Sequence, residues 1–84
     1  MHEASIAASV FDLLTETVQK DLSFENKKIT KIFFNQGRPF TVSPESFEFY
    51  FLELVKQTRF EGAELIFNET PEKGFYIASL EVEE

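Results

Sequence analysis

Cysteine is absent from this sequence, which removes disulfides, thiolate zinc sites, iron–sulfur clusters and cysteine nucleophiles together. Histidine occurs once, at His2, and no serine is placed to pair with it as a catalytic nucleophile. With only three glycines there is no Gly-rich phosphate loop. Basic residues are also scarce: eight Lys and Arg stand against fifteen Asp and Glu, a formal charge of −7 that repels phosphate backbones. Lys27, Lys28 and Lys31 form only a short basic group without interleaved aromatics, so nucleic-acid binding is not expected. The acidic surplus suits solubility or a basic partner protein. No basic start with an apolar run and small-residue cleavage site is present, and no apolar stretch nears the about 18 residues that span a membrane. These absences predict a cytoplasmic protein with no membrane contact. So many acids create chance carboxylate pairs freely, and none has a spacing that demands catalysis; an enzyme is not expected.

What the chain does have is aromatic area. Eleven phenylalanines and two tyrosines in 84 residues offset the small core of a chain that buries only about 60% of its unfolded surface. A single domain over residues 1–84 is expected. From Glu3 to about Leu22, Ile6, Val10, Leu13, Leu14 and Val18 recur at helical spacing, with Glu3 in the first turn favoured by the helix dipole. Asp21 to Lys28 is polar and reads as a loop. Ile29 to Gln36 is β-branched and aromatic and predicts a strand with Ile32 and Phe34 on one face, ended by Gly37-Arg38-Pro39. Ser43-Pro44-Glu45 has the cap, first-position proline and acid of a helix start. That helix is predicted to run to about Thr58 with a stripe of Phe47, Tyr50, Phe51, Leu54 and Val55. Phe49 and Leu52 fall off the stripe; cover by neighbouring loops is the plainer reading, a contact surface the other. Gly62 precedes a strand at Ala63–Phe67, and Phe75–Val82 is a third. Pro71 and Gly74 between them suit a tight reversal, predicting that the last two strands pair as a hairpin. The order is α-β-α-β-β, an α+β fold with two helices on one face of a three-stranded mixed sheet.

The chemistry is concentrated at the terminus. Met1-His2-Glu3 can offer the α-amine of Met1, the amide nitrogen and imidazole of His2, and the Glu3 amide or carboxylate to one metal ion. Planar, nitrogen-rich donors suit Ni(II) or Cu(II) and not Mg(II) or Ca(II), and by the usual affinity order Cu(II) binds at least as tightly as Ni(II). The donors lose protons on binding, so affinity rises with pH. The bulk of His2 disfavours removal of the initiator Met1. Taken alone, the same three residues also describe an ordinary solvated terminus.

In order and spacing the chain resembles the HypA/HybF family of nickel-insertion accessory proteins. The matching residues are Met1-His2-Glu3 with Ser5-Ile6-Ala7, and Pro44-Glu45-Ser46-Phe47 with Phe49 and Phe51. Thr58, Glu61-Gly62-Ala63-Glu64-Leu65, Pro71 and the closing Ser79-Leu80-Glu81-Val82-Glu83 complete the set. The resemblance implies a nickel site built from this terminus, with His2 as the essential imidazole and Glu3 beside it. It also implies delivery during maturation of nickel–iron hydrogenases or urease, with a nickel-binding GTPase or the nickel enzyme itself as partner. One departure is large. Family members carry a zinc subdomain with two Cys-x-x-Cys pairs between the second and third strands, where this chain has only a turn near residues 70–74; no zinc is expected. Arg38-Pro39-Phe40-Thr41 also replaces the family's Leu, Ser and Gly pattern, and Phe40 there is either a plug over the sheet edge or a partner contact. The leading expectation is a nickel metallochaperone-like protein, with a metal-independent adaptor of the same fold as the alternative. An oligomer-forming subunit of a larger enzyme is a third reading, and the oligomeric state is left open.

Overall fold

A computed structural model describes residues 3–38 and 42–83. Helix α1 (Glu3–Lys20) is followed by a short 3-10 turn (Leu22–Phe24), strand β1 (Ile29–Gly37), helix α2 (Pro44–Leu54) and strands β2 (Glu64–Thr70) and β3 (Phe75–Val82). The expected α-β-α-β-β order and mixed three-stranded sheet are what the chain forms. Ile32 and Phe34 point to one face, as their alternation requires, and both are fully buried. Phe34 is the centre of the core. Its ring lies 5.2 Å from Phe67 and 5.3 Å from Phe75 in stacked contacts, and meets Phe47 edge-on at 5.3 Å. One side chain thus joins all three strands to α2.

The strand order corrects the predicted hairpin. It is β2-β1-β3, with β1 parallel to β2 and antiparallel to β3. The reversal at residues 71–74 does not join neighbours; it passes over the end of β1. Gly37 N–H donates to Gly74 O at 2.9 Å, and a Cβ on Gly37 would lie 1.6 Å from Glu72 O. Turn residues announce a change of direction but not which strand lies between. The β1–β2 pair is parallel because the long connection through α2 returns the chain to the same end, as parallel strands require.

Each helix is shorter than its sequence pattern suggests. After α1, Asp21 caps the 3-10 turn by accepting from Ser23 N–H at 2.9 Å and from Ser23 Oγ at 2.7 Å, bonds that hold its carboxyl below the ordinary value. On α1 the buried side is Ala7, Leu14 and Val18, with Phe11 set edge-on to Phe60; Leu13 is 54% exposed. Helix α2 stops at Leu54, short of Thr58. The chain turns there through Gln57 at φ 64°, with Thr58 N–H donating to Val55 O at 3.1 Å. A left-handed position is one that glycine normally fills. Gln57→Gly is therefore expected to stabilise the fold by about 1 kcal/mol, less the extra freedom it gives the unfolded chain, read from the urea midpoint.

Candidate functional site

The two helices start side by side. Glu3, in the first turn of α1, accepts a hydrogen bond through Oε2 from the backbone N–H of Ser43 at 3.1 Å, across forty positions of sequence. Ser43 is the N-cap of α2: its carbonyl accepts from Phe47 N–H at 2.9 Å and its Oγ lies 3.5 Å from Ser46 N. A carboxylate placed here faces the positive ends of two helix dipoles. The preceding peptide is held from the sheet, because Gln36 Nε2 donates to Val42 O at 3.1 Å. Gln36 is 3% exposed, and its Oε1 is buried with no hydrogen-bond partner among the described residues. With Pro44, Phe67, Asn68 and Glu69 it lines a cavity of about 190 Å³.

These contacts make the entrance of α1 a fixed point. One turn on, Ala7 is fully buried against the core, so the helix start is tied both by packing and by the Glu3–Ser43 bond. Of the expected ligands, Glu3 is placed here, and Met1 and His2 lie outside the described residues. Phe40, expected as an edge plug or contact residue, also lies outside them. Among the described residues no three His, Cys, Asp or Glu side chains converge as a metal site, and no helix is long and apolar enough to cross a membrane.

A family model described as hydrogenase/urease nickel incorporation, metallochaperone, hypA matches residues 1–75. The chain belongs to the HypA family. It is 39% identical over 67 residues to the hydrogenase maturation factor HypA of Caldanaerobacter subterraneus subsp. tengcongensis, covering 80% of this chain and 56% of that relative. This HypA-family chain thus spans little more than half the length of the curated relative it matches. The family described by that match is one of nickel incorporation.

Within this HypA-family chain, the Thr58 to Leu65 stretch of the resemblance has a structural explanation. Thr58 Oγ1 donates to Val55 O at 2.6 Å and accepts from Phe60 N–H at 3.1 Å, and Gly62 takes φ +83° before β2. These residues build the turn into the sheet. Two residues that hold the start of α1 escaped the sequence reading. Ser43 was legible as a helix cap but not as the donor to Glu3. Gln36 did carry a signal, since it follows Ile32 and Phe34 at the inward spacing of β1. The outer face of α2 differs from expectation as well. Phe49 is 64% exposed, Tyr50 42% and Leu52 38%, with the Phe49 and Tyr50 rings edge-on at 5.4 Å. No loop among the described residues covers Phe49 or Leu52, and Tyr50 and Leu54 leave the expected stripe because α2 buries only the Phe47–Phe51 side.

Proposed function

We propose that this chain binds one Ni(II) through the Met1 α-amine, the His2 amide nitrogen and imidazole, and a fourth donor from Glu3, and carries it to a nickel-enzyme maturation partner. The observation that carries this reading is the family match, which begins at residue 1 and so takes in Met1-His2-Glu3. The geometry supports it from the other side: the residue next to His2 is held against α2. Nickel is the cargo of such a site, bound for handover to the partner. The whole chain acts as one nickel-binding domain in the cytoplasm, without zinc and without enzymatic activity of its own. The short turn after β2 stands where a zinc module is expected in longer relatives. A nickel-binding GTPase or the client hydrogenase or urease is the partner.

A second reading, a metal-independent adaptor, is favoured by one observation, the exposed Phe49, Tyr50 and Leu52 on α2. The two readings part at His2→Ala. Nickel delivery to the client should fall to background in this variant while partner binding persists. If His2→Ala supports client maturation as the native chain does, and Phe49→Ser abolishes it, the adaptor reading replaces the nickel one.

A further inference from the structure

The bond from Ser43 N–H to Glu3 gives the carboxylate a task distinct from metal ligation. We infer that the Glu3 carboxylate is a positioning group: by holding the Ser43 N–H it fixes the start of α1 against the start of α2 and orients the nickel donors that precede it. The inference rests on the nickel reading above.

Every polar backbone and side-chain group of Ser43 has its own partner. The carbonyl and Oγ face into α2, and the N–H is directed back to Glu3 Oε2. As the residue before the first helical turn, Ser43 has no helix carbonyl for that N–H to reach. Turning the Glu3 carboxylate away from Ser43 would leave that N–H without its partner. The mount itself is firm. Val42 is 2% exposed and its carbonyl is taken by buried Gln36, so the peptide that carries the Ser43 N–H is fixed by β1 from beneath. The line of support runs from Gln36 through Val42 and Ser43 to Glu3. Outer partners of this kind usually change metal affinity without changing which atoms bind the metal.

The experiment compares Ni(II) affinity, by competition with a chromophoric chelator, and the visible spectrum of bound nickel in chains with a native, unblocked Met1. The variants are Glu3→Ala, Glu3→Gln, Ser43→Ala and Ser43→Pro, each checked for fold by circular dichroism. Ser43 has φ −79°, which proline tolerates, so Ser43→Pro removes the N–H, whereas Ser43→Ala keeps it. Glu3→Ala and Ser43→Pro should weaken nickel binding about tenfold with the nickel band unmoved. Glu3→Gln, which keeps an acceptor oxygen, and Ser43→Ala should stay near the native affinity. If Ser43→Pro does not fold, the Glu3→Ala and Glu3→Gln pair decides alone. Amide exchange adds a metal-independent reading: Ser43 N–H is protected in the native chain, is released in Glu3→Ala, and gains protection on nickel loading because coupling is reciprocal. A shifted band with equal loss in Glu3→Gln and Glu3→Ala would make the carboxylate a ligand and overturn the inference. So would native affinity in Glu3→Ala. Absence of nickel binding by the native chain would instead refute the nickel reading, and the inference with it.

Discussion

Truncating Phe34 to alanine is expected to cost about 4 kcal/mol, close to the whole stability of a poorly buffered small domain. The ring is fully buried and is in contact with Phe47, Phe51, Phe67 and Phe75, drawn from α2, β2 and β3. Its removal opens a cavity at the one place where all of these meet, and the four neighbouring rings are too rigid to close it. The check is urea unfolding followed by circular dichroism, with Phe49→Ala as the comparison. Phe49 is 64% exposed and its loss should change the midpoint little. A Phe34→Ala loss below about 1 kcal/mol would mean that the core can collapse around the gap and that this packing account is wrong.

The second large effect is Gly37→Ala, for which a loss of about 3 kcal/mol is expected. The added Cβ would sit 1.6 Å from Glu72 O, 2.5 Å from Glu72 C and 2.9 Å from Lys73 Cα. All three are backbone atoms of the segment that crosses β1, so no side chain can swing aside. The crossing must lift, breaking the 2.9 Å bond from Gly37 N–H to Gly74 O. Hydrogen exchange should show lost protection at Gly37 and Phe75 while α1 stays protected. Gly74→Ala is the control: its Cβ meets nothing within 4 Å, and only its φ of +112° opposes the change. Equal stability of Gly37→Ala and the native chain would contradict the strand order β2-β1-β3.

That strand order is also where sequence reasoning stopped. Periodicity placed β3 at Phe75–Val82 and the Ser43-Pro44 cap placed the start of α2, because those signals are local and written in side-chain spacing and turn chemistry. The Pro71–Gly74 reversal is equally local, yet a reversal looks the same whether the strands it joins touch or straddle a third. The end of α2 was missed for a related reason: Gln57 occupies a left-handed position that a glycine would have announced. Leu13, Tyr50 and Leu54 fit the helical period but are 54%, 42% and 39% exposed, since two helices on a small sheet bury narrower stripes than the sequence offers. Of the proposed site, Met1-His2-Glu3 is a reading of the sequence, and of its three residues Glu3 is the one that the structure describes. The partner that holds Glu3 could not be read from the sequence, because Ser43 reaches it only through the packed fold.

The central claim is tested most directly by titrating Ni(II) into chain with its native, unblocked Met1 and following visible absorption, beside His2→Ala and a variant extended at the N-terminus. The account predicts a square-planar nickel spectrum saturating at one metal per chain, rising in affinity with pH as the donors lose protons, and lost in both variants. Equal, weak binding by all three would contradict it and leave the exposed face of α2 as the functional surface.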